Sequence, residues 1–396
     1  MRGEEITICY VASICSHKKY NDYYGCKKRK PAQQSVKYHR LLAEGFWCNV
    51  SKVYAVCNIP MTDEVTEKYC KNQDELENGI EYRYVSFLKN PVIKHFMMIV
   101  GAFFKVRKIL KENENVVIVF DVLSRSVSLG AMLAAGSRAK AKVAVVTDLP
   151  EMFKGAKYHL SYYISEYLMK RASGYTFMTG AMDEKANPTH KPSVIMEGHV
   201  DIREKSRDSR ETIKNGFKCI YAGAVSKEYG LDELVKGFLA AGIPDSELEI
   251  YGNGDYAKDV ERISDSSMLI SYKGEKKNEE VVDSEYGASL LINPRPTKEE
   301  FVKYSFPSKN MEYMVTGTPV LTTNLPGMPD EYKNHVYLIE DETADGIKTV
   351  LQKIAGIPEE ERNAMGKKAR EYVLEEKNNV IQAKRVLSMI EGFFDE

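Results

Sequence analysis

Asn293–Pro319 reads N-P-R-P-T-K-E-E-F-V-K-Y-S-F-P-S-K-N-M-E-Y-M-V-T-G-T-P. An apolar strand ends just before it, at Leu290-Leu291-Ile292. A loop with Pro294 and Pro296 follows, and the pattern then predicts a helix from about Ser305-Phe306-Pro307 to Gly317. Proline in a first helical turn loses no hydrogen bond, because the opening N–H groups have no partner within the helix. Those amides and the helix dipole favour an anion. Lys309 falls in the first turn and Glu312 about one turn later. A cation beside bare amides suits a diphosphate, and a carboxylate one turn on suits a pair of ribose hydroxyls. The strand–loop–helix unit is therefore expected to hold a sugar nucleotide. The plainer alternative is a surface ion pair between Lys309 and Glu312, worth only a few tenths of a kcal/mol.

The same alternation runs through the rest of the chain. In the first half, strands are expected at Ile6–Ile14, Lys52–Cys57, Tyr82–Phe87, Val116–Phe120, Lys142–Thr147, Tyr175–Met178 and Val194–Met196. Helices are expected at Gln34–Phe46, Val92–Leu110, Ser126–Ala135 and Tyr158–Arg171. Continuous apolar strands interleaved with helices mean a parallel sheet covered on both faces. Asp201–Lys214 is charged, nearly devoid of large apolar residues, and reads as a linker. The βα rhythm then restarts at Phe217. The expected fold class is α/β, with two Rossmann-like, doubly wound parallel-sheet domains facing across a cleft. The expected boundaries are 1–200 for an acceptor-binding domain, 201–214 for the linker and 215–375 for a donor-binding domain. Residues 376–396 form a closing helix that could pack back on the first domain.

Composition narrows the function classes. The chain has 396 residues, long for one domain. Its 56 basic and 57 acidic side chains leave a net charge of −1, which argues against nucleic acid as a partner. Seven cysteines, none in a C-x-x-C pair, suit reduced thiols in a cytoplasmic protein. The opening Met1-Arg2-Gly3-Glu4-Glu5-Ile6 lacks the layout of a signal peptide. No uncharged run reaches the ~20 residues of a membrane span. Val92–Leu110 comes nearest, but carries Lys94, His95, Lys105, Arg107 and Lys108. It reads as a core helix with a solvated basic end, or as a helix lying on the inner face of a membrane.

Further motifs fall at strand ends, where ligands of such sheets bind. Tyr221-Ala222-Gly223-Ala224-Val225 is a glycine turn into a helix; Gly223 would admit a diphosphate or simply make a tight turn, and Lys227 follows it. Ile250-Tyr251-Gly252-Asn253-Gly254-Asp255 could border a nucleobase, or be a turn capped by Asp255. Lys273-Gly274-Glu275 could read a base edge through its backbone. In the first half, V-A-V-V-T-D-L-P places Asp148 at a strand end, where it could orient an acceptor hydroxyl, act as base, or cap the next segment. Cys15–Gln34 reads as a basic, tyrosine-rich loop around Lys27-Lys28-Arg29-Lys30. It could meet anionic lipid heads or a pyrophosphate, or be solvated.

Over nearly its full length the chain resembles family-four retaining glycosyltransferases of the GT-B fold, and among them bacterial enzymes of capsular and exopolysaccharide synthesis. Asn293–Val320 carries the family pattern N-P-R…Y-S-F-P-S-K-x-x-E-Y-M-x-x-G-T-P-V, Glu197–Asp201 matches its E-G-x-V-D, and Asp148–Pro150 matches an acceptor-side D-L-P. The resemblance implies that Glu312 holds the donor ribose and that the amides near Ser308 and Lys309 hold the diphosphate. Two positions depart from it. Tyr304 stands where many relatives carry a carboxylate, and Ala224 where many carry arginine. Lys227, Arg295 and Lys309 are the candidates for the missing positive charge. The implied activity is transfer of a hexosyl group from a nucleotide-diphosphate sugar, UDP-linked by expectation, to a glycan or lipid-linked sugar acceptor. No metal and no cofactor is expected beyond the nucleotide sugar itself. A non-catalytic nucleotide-sugar-binding partner and a GT-B-fold epimerase are the alternatives.

Overall fold

A computed structural model of the chain describes residues 6–24, 33–60, 69–70, 73–90, 93–153, 155, 159–206 and 216–394. It divides into two compact units, Met1–His199 with Asn378–Glu396, and Val200–Lys377.

The first unit runs β1 (Thr7–Ala12), α1 (His17–Tyr24), α2 (Gln33–Trp47), β2 (Lys52–Cys57), β3 (Tyr69–Cys70), β4 (Glu75–Glu77), β5 (Ile80–Tyr84), β6 (Phe87–Leu88), α3 (Ile93–Glu112), β7 (Val116–Asp121), α4 (Arg125–Ala135), β8 (Ala141–Val146), α5 (Leu160–Lys170), β9 (Gly174–Phe177), α6 (Gly180–Ala186) and β10 (Ser193–Ile195). Its main sheet has the order β10-β9-β8-β7-β1-β2-β5-β4, parallel throughout except for β4, and β3 pairs with β6 apart from it. Every residue of β1 and β7 is buried, as continuous apolar strands in a doubly covered sheet should be. α3 and α4 cross closely: a Cβ on Gly130 would lie 2.2 Å from the Ile99 carbonyl oxygen.

In the second unit, β11 (Phe217–Ala222), α7 (Leu231–Ala241), β12 (Ser246–Tyr251), α8 (Ala257–Ser266), β13 (Ile270–Gly274), α9 (Asn278–Tyr286), β14 (Leu290–Asn293), α10 (Ser308–Met314), β15 (Val320–Thr323), β16 (Tyr337–Ile339), α11 (Ala344–Ala355) and α12 (Glu359–Glu376) follow in turn. Its sheet is parallel in the order β13-β12-β11-β14-β15-β16. The chain then returns to the first unit as α13 (Asn379–Glu391). Ala383, Val386, Leu387 and Ile390 of α13 enter the first unit's apolar core. Asn379 Nδ2 donates to the Leu41 carbonyl at 3.0 Å and Gln382 Nε2 to the Gly198 carbonyl at 3.0 Å.

Three local expectations are corrected. Cys15–Gln34 is not a loop throughout, because α1 occupies His17–Tyr24. Its opening amides are capped from far away: His17 N and Lys18 N donate to the Glu77 carboxylate at 2.7 and 2.9 Å. Lys27-Lys28-Arg29-Lys30 lie outside the described residues. The helix expected to reach Gly317 ends at Met314. Arg370 Nη1 takes the Val315 carbonyl, and Thr316 Oγ1 takes that of Tyr313 at 2.7 Å, so the chain closes in a turn. Ile202–Ser206, inside the expected linker, is a 3₁₀ turn of the second unit; the rest of the linker, 207–214, lies outside the described residues. Among the described residues no helix is long and apolar enough to cross a membrane.

Candidate functional site

Counted within its own sheet, the second unit's strand order is 3-2-1-4-5-6. Order reverses between β11 and β14, and the loops leaving those two strands part to opposite faces of the sheet, which opens a crevice at their carboxyl ends. Glycines line it. Gly223 N donates to the Tyr251 carbonyl at 3.0 Å, and Gly252 N to the Gly274 carbonyl at 2.9 Å, so the ends of β11, β12 and β13 are stitched in a row. Gly252 has φ +123°, and a Cβ there would sit 1.8 Å from the Gly223 oxygen. Only glycine fits that position. Tyr221 curls beneath the first turn and donates from its hydroxyl to the Ala224 carbonyl at 2.8 Å.

Charged residues reach the same edge from the far side of the switch point. Arg295 lies just past β14, its guanidinium carbon 5.7 Å from the Tyr229 ring centroid and 5.4 Å from that of Phe301. Its Nε is buried without a hydrogen-bond partner, and burial lowers its pKa from the ordinary value. Among the described residues it forms no ion pair with a carboxylate. A desolvated cation held between aromatic rings with a spare donor is matched to an anion. Thr323 Oγ1 fixes the Arg295 carbonyl at 2.6 Å.

α10 opens at Ser308 behind Pro307, with no side-chain cap. The first-turn amides of Ser308 and Lys309 therefore lack an intrahelical acceptor, although a helix of 7 residues carries a weaker dipole than a longer one. Lys309 Nζ and Glu312 Oε2 stand 3.3 Å apart, so the surface pair does form, and Lys309 also lies 5.7 Å from the Tyr313 ring. A part-exposed pair of this kind contributes under about 1 kcal/mol and gives way easily to a ligand. Lys227 is exposed on the turn after β11, 5.0 Å from the Tyr256 ring. Lys273 is engaged within the sheet, 3.3 Å from Glu249 Oε1, so only the backbone of Lys273-Gly274 faces the strand end. Tyr304 closes the 3₁₀ turn Glu300–Tyr304 two residues before the Phe306-Pro307 step, beside the Lys303 ammonium at 4.9 Å.

Asp148 belongs to the first unit, just past β8. It is exposed at its surface yet crowded on its other sides. Desolvation raises its pKa, the Thr147 hydroxyl opposes this, and Asp121 adds to it.

Residues 202–372 match the family model described as Glycosyl transferases group 1. The second unit carries a group 1 glycosyltransferase domain. No curated protein sequence matches the chain significantly. Solved structures do match its fold along its whole length. HepE of Anabaena, crystallised with UDP, aligns with TM-score 0.62 at 12% identity over 98% of this chain and 100% of its own. Sucrose-phosphate synthase of Thermosynechococcus elongatus aligns at 0.66 and 13% over 98% and 99%. The lipopolysaccharide outer core galactosyltransferase WaaB aligns at 0.60 and 14% over 98% and 99%. These are GT-B glycosyltransferases, and the two Rossmann-like units of this chain have that fold.

Within the glycosyltransferase domain, sequence reasoning passed over the groups that hold the crevice in shape. Asn293 Nδ2 donates to Asn310 Oδ1 at 2.7 Å, and Asn310 Nδ2 to Thr322 Oγ1 at 3.3 Å. This buried chain ties β14, α10 and β15 together. Tyr313 OH accepts from Ala222 N at 2.8 Å and so pins α10 to the end of β11. The signal was available: an asparagine closing an apolar strand and another inside a short apolar helix must each find a buried partner.

Proposed function

We propose that the chain is a retaining glycosyltransferase that moves a hexosyl group from a nucleoside-diphosphate sugar to a hydroxyl of a lipid-linked or oligosaccharide acceptor, in surface polysaccharide synthesis. The observation that carries the reading is Arg295, a part-buried cation with its Nε buried and unmatched, at the switch point of a domain that matches the group 1 glycosyltransferase model. Arg295, Lys309 and the amides of Ser308 and Lys309 hold the diphosphate. Glu312 turns from Lys309 to the ribose hydroxyls. Gly223 lets the phosphates approach the main chain, and Gly252 with Lys273-Gly274 borders the base. Lys227 adds positive charge at the rim. Uracil is the base of choice, in keeping with the UDP bound by HepE.

In the reaction the bond from the anomeric carbon to the diphosphate oxygen breaks, and a bond to the acceptor oxygen forms on the same face. The acceptor proton passes to the departing diphosphate, and Asp148 orients the acceptor hydroxyl. Negative charge grows on the diphosphate as the bond breaks, so cations and amides aimed there bind the transition state more tightly than the substrate.

Arg295→Ala tests this. Titration calorimetry with UDP and a transfer assay over a panel of UDP-sugars should show weakened UDP binding and turnover down about a hundredfold. Arg295→Lys should recover part of each, because the charge returns without the planar fork. Wild-type UDP affinity in Arg295→Ala would remove the donor role. UDP binding with no transfer by the native protein would mark a non-catalytic binder.

A further inference from the structure

Arg295 stands between two prolines, Pro294 and Pro296, and three other segments of the second unit brace the loop that carries it. The first is the turn before α7. Gly230 has φ +79°, and a Cβ there would lie 2.1 Å from the Pro294 carbonyl oxygen, so the two loops meet main chain to main chain. The second is the end of β15, where Thr323 Oγ1 donates to the Arg295 carbonyl. The third is the loop between β16 and α11. There Glu342 takes both donors of Thr297: the amide reaches its two carboxylate oxygens at 3.1 and 3.2 Å, and Oγ1 reaches Oε1 at 2.6 Å. That loop is itself fixed. Ala344 N donates to Glu233 Oε2 at 2.8 Å, in the first turn of α7, and the Thr343 hydroxyl caps α11 by accepting from Gly346 N at 3.2 Å. The braces close a circuit from Pro294 through Gly230, α7, Glu233 and Glu342 back to Thr297.

By charge alone Glu342 is out of place. It follows β16 at the carboxyl edge of a parallel sheet whose crevice is built for an anion, and a carboxylate there opposes one. Its oxygens face Thr297 instead, and among the described residues it forms no ion pair with Arg295. A carboxylate is a stronger acceptor for an amide and a hydroxyl than a neutral group. We infer that Glu342 is a positioning residue for Arg295: it fixes the Thr297 end of the loop and so holds the guanidinium between Tyr229 and Phe301. The inference rests on the proposed donor role of Arg295 and deepens it. The two prolines set their own φ and keep Arg295 extended, but leave the chain free to swing at Thr297. A displacement of about 1 Å at a group that acts in the transition state can cost on the order of a hundredfold in rate.

Charge and positioning predict opposite signs, which makes the test sharp. Glu342→Ala removes a negative charge, so electrostatics alone would tighten UDP. Positioning predicts that calorimetry on the full-length protein will show UDP affinity down about tenfold, the loss of one charge-assisted contact. Glu342→Gln keeps the oxygen that takes both Thr297 donors and loses the charge, so it should bind UDP at least as tightly as the parent. Thr297→Val keeps the amide and loses the hydroxyl; its affinity should fall about threefold, and it reads the brace even if Glu342→Ala proves unstable. A double-mutant cycle locates the effect: in an Arg295→Ala background, Glu342→Ala should change UDP affinity by less than about twofold. Exchange of the Arg295 Nε proton, followed by NMR and assigned by its loss in Arg295→Ala, reads the position without a ligand. It should quicken about tenfold in Glu342→Ala and keep the parent's rate in Glu342→Gln. Parent-like exchange in Glu342→Ala, additive losses in the cycle, or a glutamine variant as weak as the alanine one would overturn the inference. Quickened exchange with native UDP affinity in Arg295→Ala sinks the donor role of Arg295 and leaves the brace. Parent-like exchange with weakened UDP binding in Arg295→Ala sinks the brace alone.

Discussion

The two units share one topology and present opposite surfaces at the same place in it. In each, the central parallel strands follow the order 3-2-1-4-5-6, and the order reverses beside the unit's first strand. In the second unit that point is narrow and made of main chain: Gly223, Gly252 and Gly274 in a bonded row, with Arg295 and Lys309 opposite. In the first it is wide and made of side chains, hydroxyl and amide groups below and apolar walls above. Topology thus determines where a ligand binds, and the residues at the strand ends determine what kind. Bare amides beside cations suit a diphosphate, whereas the first unit's lining mixes apolar walls with polar and cationic side chains.

The comparison breaks most visibly at Gly252. Gly252→Ala should cost about 3 kcal/mol of stability, because an L residue is strained at φ +123° and its Cβ overlaps the Gly223 oxygen. Chemical denaturation would measure it. Gly242→Ala, also left-handed at φ +59° but facing open space, should cost only about 1–2 kcal/mol. Equal losses at the two sites would mean that the close approach of the β11 and β12 loops is not what the glycine serves.

Glu312→Ala sharpens the donor side. Its pair with Lys309 is part-exposed, so stability should change by less than about 1 kcal/mol. UDP affinity should fall roughly tenfold if the carboxylate holds the ribose. Unchanged affinity would leave Glu312 as no more than the partner of Lys309.

Asp148→Asn should have the smallest effect on stability and the most informative sign. Its pKa is raised by desolvation, so the folded chain holds this proton more tightly than the unfolded chain does. At neutral pH the carboxylate charge therefore opposes folding. The opposition fades as pH falls through the raised value toward the ordinary 3.8. The asparagine variant should be more stable than the parent at pH 7, by no more than about 0.5 kcal/mol, with the gap closing in acid. The parent's turnover should fall over the same pH range as Asp148 takes up its proton, and the asparagine variant's turnover should be lower at pH 7 and lack that step. Thermal unfolding against pH checks the first point, and a transfer assay the second. A variant less stable at pH 7 would make Asp148 a capping residue.

The α/β rhythm was legible because both sheets are covered on both faces, and a buried parallel strand must be apolar throughout. β7, V-V-I-V-F-D, could be read no other way. α1 was not legible, since its cap comes from Glu77 across the unit. The end of α10 was not either, since Arg370 from α12 ends the helix at Met314. Among candidate site residues, Lys273 stands on the expected strand, but its charge is engaged by Glu249, which no local pattern announces.

What the sequence determined by itself is the set of local periods and turns: two runs of strand and helix, glycine and proline at strand ends, and a strand–loop–helix unit carrying Lys309 and Glu312. These follow from steric limits and side-chain burial within a few residues of chain. Tertiary structure alone decided which strand ends become neighbours. It set Arg295 against Tyr229 and Phe301 with its Nε unmatched, tied Asn293 to Asn310 and Thr322, and opened a cavity beside Ser13 and Ser124. The physical reason is that a group's charge, burial and partners depend on every segment packed around it, and those segments come from far along the chain.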